Sequence, residues 1–353
     1  MNRHIPTRRL WTIAGLLALA ASCALASTAS ATLVYVRGGF PTSPPKLPAP
    51  EWVWSAHNDG SAHLRLARGS SPHLSPDGKL VAYDSFAGGK TRLAVIPTSG
   101  GTPRVLIGSG WQDQPTLAWS PDSKTLIAVV GTELGTKRLV RIDVQSGRTL
   151  ATLASAYDFF SASFSPDSSR VVYTRAPSVK LNTDLFVVTL ATGHIRALTS
   201  GGRSSGAVWG KVWIVFSRSR KPARANDAPK QDLYLVRPAG TDLRRLTVTH
   251  PGFLLAGLFP VAWSSSANRL LAEFGGQDTS YAETVNPQTG RVRRVGTESQ
   301  GFVGWALSRD GRQILATTGG PEPNESSNVV TVPYGGNKPR VLARHAHNPD
   351  WNA

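Results

Sequence analysis

The 353-residue chain contains one cysteine, Cys23, and none beyond it. A mature portion without cysteine has no disulfide framework, no thiol nucleophile and no cysteine-ligated metal. Helical periodicity sustained over a long segment is also missing, which argues against a bundle or a helix-rich enzyme domain. Acidic residues are scarce: 22 Asp and Glu stand against 39 Lys and Arg, a formal charge of +17. The basic excess comes with no recognition helix and no zinc spacing, so nucleic acid is not the expected partner. There is a single long apolar run, "LWTIAGLLALAA" from residue 10, and it is too short for a comfortable membrane span.

That run follows the basic stretch "MNRHIPTRRL" and precedes "ASTASA", which ends in the small-x-small pattern Ala29-Ser30-Ala31. The three parts together read as a secretory signal over residues 1–31, cleaved before Thr32. Lipidation at Cys23, in an imperfect lipoprotein box, and an uncleaved anchor are the alternatives; "TRRLW" also loosely resembles a twin-arginine export signal. Cleavage removes Arg3, Arg8 and Arg9, leaving 36 basic and 22 acidic residues, hence +14. The expected location is the periplasm, the cell envelope or the extracellular space. The charge suits a protein or an anionic envelope polymer as partner, with association at a membrane surface as a further option.

Gly (34) and Pro (25) are abundant, and they bound nearly every apolar run, which is an all-β profile. The runs also repeat. Ser75, Ser120 and Ser165 each open Ser-Pro-Asp and are 45 residues apart; Gly210, Ser264, Ser308 and Asn352 continue the series at 45, 54, 44 and 44. A period near 45 with four short strands per unit predicts a β-propeller. In one unit the strands are "TLAWS", "TLIAVV", "RLVRIDV" and "TLATL", here termed A to D. Repeats start near residues 72, 115, 161, 206, 260 and 304. The C–D turns carry Gly60, Gly101, Gly147, Gly193, Gly240, Gly290 and Gly336, one turn more than the complete A–B pairs. The surplus is resolved if "TLVYVRGG" and "EWVWSAHNDGSAHLRLARG" join the C-terminal "NPDWN" in a blade shared by both chain ends. The expectation is a single domain over 32–353 with seven blades, residues 32–69 and 348–353 forming the closing one. Six blades remain the alternative if residues 32–50 are a linker.

"LSPDGKLVAYDS", "WSPDSKTLIAVV" and "DLYLVRPAGTDLRRLT" resemble TolB-type repeats, also called WD40-like repeats. The resemblance extends over residues 32–353 and is weakest around Gly210. The Gly-His and Trp-Asp landmarks of ordinary WD40 blades are absent. TolB joins its propeller to a separate α/β domain for which residues 32–353 leave no room. The resemblance therefore implies architecture more than activity.

Ser-Pro-Asp reads as a turn, not a site. Pro sets φ for the second position, Asp tolerates the third and Gly suits the fourth, giving structural roles to Pro76, Asp77, Gly78, Pro121, Asp122, Pro166, Asp167, Asp310 and Gly311. Because strands alternate direction, A–B and C–D turns share one face of the disc. B–C loops and D–A connections share the other, which varies in length and chemistry and is where binding is expected. Its D–A candidates are Trp111, Asp113, Tyr157, Asp158, Phe160, Arg203, His250, Phe253 and Glu298, each aromatic also being a candidate for packing between blades. The long B–C loop "SRSRKPARANDAPKQD" adds Arg218, Arg220, Lys221 and Arg224 as an anionic-contact site.

Enzyme signals are thin. "GRSSG" fits Gly-x-Ser-x-Gly around Ser204 but joins two strands, without the helix that a nucleophile elbow requires. His345 and His347 would share one face if extended, and with His250 they are weak candidates for a metal. The resemblance to seven-bladed oligogalacturonate lyases, which have a His-rich metal site, implies a metal-dependent enzyme on acidic polysaccharide as the alternative to a non-catalytic binding scaffold. No catalytic residue and no cofactor is expected, and the protein is expected to be a monomer.

Overall fold

The computed structural model describes residues 32–39, 50–87, 90–108, 110–111, 116–132, 135–220, 230–249, 256–264, 266–276, 279–297, 299–319 and 326–353. Among these residues there is no helix; the regular structure is antiparallel sheet in units of four strands.

The chain ends meet in one unit. β1 (Thr32–Arg37) pairs with β2 (Trp52–His57), β2 pairs with the first half of β3 (Leu64–Leu74), and the far edge of β1 is covered by the last strand, His347–Trp351. β3 then continues into the next unit, with β4 (Leu80–Ala87), β5 (Lys90–Pro97) and β6 (Arg104–Ile107). Gly69 marks the crossing within β3: a Cβ there would come within 2.1 Å of the Asp84 carbonyl oxygen, so only glycine fits. The third unit is β7 (Ala118–Trp119), β8 (Thr125–Val130), β9 (Lys137–Asp143) and β10 (Thr149–Ala156). The fourth is β11 (Asp158–Phe164), β12 (Arg170–Ala176), β13 (Asp184–Thr189) and β14 (Ile195–Ala197). The fifth is β15 (Ser204–Trp209), β16 (Ile214–Ser219), β17 (Lys230–Val236) and the two-residue β18 (Arg244–Arg245). Next come β19 (Ala256–Ser264), β20 (Arg269–Gly276), β21 (Ser280–Val285) and β22 (Val292–Arg294). β23 (Val303–Leu307), β24 (Gln313–Thr317), β25 (Asn328–Pro333) and β26 (Arg340–Arg344) precede β27 (His347–Trp351).

One link breaks the separation into units. β17 pairs in parallel with β19 through Lys230–Ala256 and Gln231–Gly257, joining two units into an eight-stranded sheet. β18 is too short to cover that edge of β17 along its length.

Apolar residues on both faces of the middle strands explain how units stack. Leu126, Ala128 and Val140 pack on Ala82, Leu93 and Val95 of the preceding unit, whereas Ile127, Val129 and Leu139 pack on Phe159, Val171 and Tyr173 of the following one. The same alternation recurs along the chain, and the last unit (Leu315, Val329, Leu342) packs on Leu33, Tyr35 and Trp351. Val34 and Val53 then pack on Val81, Tyr83 and Ala94, so the stacking returns to its start. Strands buried on both faces read as continuous apolar runs, which is why "TLIAVV" lacks polar alternation.

Gly210 stands where other copies have Ser. A Cβ at this position would come within 2.8 Å of the Trp263 ring, so the neighbouring unit's indole occupies the space that a side chain would need. In the final C–D turn the left-handed residue is Gly335 (φ 81°) and not Gly336, because the turn closes from the Pro333 carbonyl to the Gly336 amide at 2.8 Å.

Candidate functional site

The A–B turns are cross-braced by their own side chains. The Ser75 hydroxyl donates to Asp77 Oδ1 at 2.7 Å and accepts from the Leu80 amide at 2.9 Å, while the Lys79 amide donates to Asp77 Oδ1 at 3.1 Å. The Gly78 amide closes the turn on the Ser75 carbonyl at 2.8 Å. The same geometry repeats at Ser120/Asp122, Ser165/Asp167 and Ser308/Asp310, with hydroxyl-to-carboxylate distances of 2.6, 2.5 and 2.6 Å. These bonds hold the carboxyls of Asp122, Asp167 and Asp310 below their ordinary range, Asp167 at about 2. Neighbouring turns also touch: the Asp77 amide donates to Ser123 Oγ at 3.1 Å, and Ser264 Oγ donates to the Arg309 carbonyl at 2.9 Å. In these four turns each serine hydroxyl and its aspartate carboxylate are engaged in bonds that shape the turn.

The opposite face carries the D–A connections and B–C loops. Trp111 lies inside, 8% exposed, with its indole nitrogen donating to Asp84 Oδ1 at 2.5 Å and its backbone bridged to Val130. Asp158 pairs with Lys137 at 2.8 Å, tying β9 to β11; Tyr157 and Phe160 are half-buried. Arg220 does not point outward as a free cation. It pairs with the fully buried Asp232 at 2.9 Å, and Arg245 takes the same carboxylate oxygen at 2.7 Å. Asp113, Lys221, Arg224, His250, Phe253 and Glu298 lie outside the described residues.

Asp232 also accepts from the Thr249 amide and hydroxyl at 2.7 and 2.8 Å, which pins the connection leaving the fifth unit. Asp184 does the equivalent in the fourth. It accepts from Thr199 Oγ1 and from the Gly202 amide, both at 2.8 Å. In both units a threonine 14 residues after the strand-C leucine caps that leucine's amide: Thr199 on Leu185 at 3.0 Å and Thr247 on Leu233 at 2.9 Å. Motif reading missed these aspartates, although "TDLF…LT" and "QDLY…LT" carry the signal at matching spacing.

Around the connection held by Asp184, three guanidinium groups gather. Arg218 Nη2 donates to the Ser200 carbonyl at 3.0 Å, and Arg203 Nη1 lies 3.4 Å from the Ser219 carbonyl. Arg175 lies 4.1 Å over the Phe186 ring, whose other neighbour is the Tyr173 ring at 5.7 Å. Arg175, Pro177, Asn182, Asp184, Phe186, Gly201 and Gly202 enclose a pocket of about 380 Å³. Of the expected binding residues, the structure thus brings Arg203 and Arg218 together and sets Trp111 and Asp158 into packing and ion pairing.

The histidines do not form a ligand pair. His345 is exposed and left-handed (φ 51°) in the turn between β26 and β27, which breaks the extended geometry that would align it with His347. His347 is buried, and its Nε2 donates to the Gly38 carbonyl at 3.0 Å. Among the described residues no group of three His, Cys, Asp or Glu side chains is close enough to hold a metal.

Two carboxyls sit inside the stack between units. Glu273 accepts from Ser280 Oγ and from the Gly304 amide at 3.2 Å, and burial pushes it up to about 7. Glu283 is also pushed by burial to about 7, against the pull of Arg294. In register, Glu273 faces Ala282 and Glu283 faces Ala272, so the two point to opposite faces of one sheet and are not a catalytic dyad.

No family model and no curated protein matches the sequence. Solved structures do match. The β-propeller domain of the trilobed protease from Pyrococcus furiosus is 12% identical, with a TM-score of 0.64 over 89% of this chain and 92% of that one. An oligogalacturonate lyase in complex with manganese is 12% identical, with a TM-score of 0.60 over 89% and 85%. A putative TolB from Agrobacterium tumefaciens is 16% identical, with a TM-score of 0.52 over 75% and 88%. Identities this low speak for the fold, and the fold is that of a β-propeller. TolB propellers are among the solved structures that this fold resembles.

Proposed function

We propose that the protein is an exported, seven-bladed TolB-like propeller that serves as a non-catalytic binding scaffold in the envelope or outside the cell. Residues 1–31 are its signal, and residues 32–353 are its single, monomeric domain. The return of the apolar stacking from Trp351 and Leu33 to Tyr83 supports the seven-blade count. The contrast between the two faces carries the functional reading. One face is built on short turns whose Ser and Asp side chains brace the backbone. The other presents Arg175, Arg203 and Arg218 beside a B–C loop that exposes Val179 (69%) and Leu181 (50%). A positive, partly apolar surface on a rigid frame suits a protein or an anionic envelope polymer.

Photo-crosslinking in cells tests this from Lys180 on the variable face and from Lys124, exposed on the turn face. Capture of a defined partner from position 180 and not from 124 is the expected result. Equal capture from both, or none from 180, rejects the assignment of the face.

A metal-dependent lyase acting on acidic polysaccharide is the second reading, favoured by the likeness to the manganese-bound lyase. The described histidines do not fit a metal site, since His347 is committed to Gly38 and His345 is turned away from an extended pairing. Manganese retained after dialysis, together with release of an ultraviolet-absorbing unsaturated sugar, would establish it.

A further inference from the structure

The pocket under the fourth unit has a polarity that a general scaffold does not need. Its one acid, Asp184, has both oxygens taken, by Thr199 and by Gly202. Its base, Arg175, stands opposite Asp184 in strand register, but no carboxylate of the described residues lies within ion-pair distance of it. The guanidinium lies 4.1 Å over the Phe186 ring, which is itself stacked on Tyr173, and its N–H groups make no hydrogen bond to a described residue. A second guanidinium lies close by. A Cβ on Gly201, which lines the pocket, would be 4.0 Å from Arg203 Nε. Arg218, anchored on Ser200, adds a third positive charge to the same turn.

The rim is apolar. Pro177 and Asn182, which line the pocket, bound the loop segment that exposes Val179 and Leu181. Leu181 is held at φ 50°, a conformation that a leucine rarely adopts, by a turn whose amide bonds the Ser178 carbonyl at 3.1 Å. A strained backbone that keeps a large apolar side chain in solvent is explained if a ligand covers it.

We infer that this pocket binds a carboxylate that carries an apolar substituent, with the carboxylate on the Arg175 fork and the substituent against Val179 and Leu181. A peptide carboxyl terminus with an apolar last residue and a free apolar acid present this same chemistry. The volume of about 380 Å³ accommodates a group of that size. The inference rests on the variable face as the binding surface but adds a ligand class to it.

Calorimetric titration of the full chain provides the test, with the tripeptide acetyl-Ala-Ala-Leu, N-acetyl-leucine, N-acetyl-leucinamide and inorganic phosphate as probes. At least one of the two free carboxylates should bind about 10-fold tighter than the amide and than phosphate. The tighter of the two identifies the source as a peptide terminus or a small acid. Arg175→Met keeps the stack on Phe186 and should weaken binding about 10-fold; Arg203→Ala, which leaves that stack untouched, should weaken it several-fold. Neither acid binding tighter than the amide, phosphate binding as tightly as the tighter acid, or Arg175→Met and Arg203→Ala both without effect overturns the inference. A specific crosslink from Lys180 alongside such a result rejects the pocket alone, whereas loss of both rejects the scaffold reading as well.

Discussion

The Ser165 hydroxyl holds its turn by giving its proton to Asp167 and accepting from the Arg170 amide at the start of the next strand. The side chain is buried, 1% exposed, so water cannot replace either bond. Ser165→Ala leaves that amide without its hydroxyl acceptor and should cost about 1–3 kcal/mol in urea unfolding. Three residues on, Ser168 is left-handed at φ 59°, the position filled by Gly78 and Gly311 in two sister turns. Ser168→Gly removes that strain and should raise stability by about 0.5 kcal/mol. A loss of stability in Ser168→Gly, or no loss in Ser165→Ala, contradicts this account of the turn. The pair also separates the two meanings of a serine beside an aspartate: a catalytic hydroxyl would affect activity, whereas this one affects the hairpin.

At the scale of strands, the repeat was legible because turn chemistry is local. Pro, Asp and Gly act within four residues, so "SPDG" announces its hairpin without help from the rest of the fold. Burial and pairing across units were not legible in the same way. Whether Trp111 faces solvent depends on Asp84, 27 residues earlier in the chain, and Arg220 is neutralised by a carboxylate that only the fold brings to it. Asp350 is the strongest case. It reads as part of the tail "NPDWN", yet its Oδ2 accepts from the Leu74 amide at 2.8 Å, 276 residues away. Ser163 occupies the equivalent place in the fourth unit and accepts from the Trp209 amide at 3.1 Å, so the contact is a unit-to-unit device. The Thr32 amide donates to Asn352 Oδ1 at 2.7 Å, and Trp351 fills the space between Leu33 and Leu315. Deleting residues 347–353 removes these contacts together and uncovers the β1 edge. Light scattering after size exclusion should show concentration-dependent oligomers, and melting should shift down by several degrees. A monomer with unchanged melting would show that the ends do not close the structure.

For the molecule as a whole, the buried carboxyls decide how stability follows pH. Burial raises Asp350 from 3.8 to about 6, and Glu273 and Glu283 from 4.5 to about 7. A carboxyl raised on folding binds its proton more tightly in the native state. Its contribution is therefore complete below the unfolded value and is lost as pH rises through the folded one. Each group should tilt the stability curve downward by up to about 1.4 kcal/mol per pH unit within its window. The turn aspartates work in the other direction. Asp167 falls to about 2, so its contribution is present above 3.8 and is lost as pH falls toward 2. The two sets together place maximum stability near pH 4, with a decline from there to about pH 7. Melting temperatures measured across that range test the sign. Glu273→Gln combined with Glu283→Gln should flatten the decline between about pH 4.5 and 7, because the amides carry no charge to desolvate. The remaining slope, between about pH 3.8 and 6, should then disappear in Asp350→Asn, which keeps one acceptor for the Leu74 amide. A wild-type curve that rises steadily from pH 5 to 7.5 would mean that these carboxyls are ionised at no cost in the native state, and hence that the stack between units is open to water where the structure has it closed.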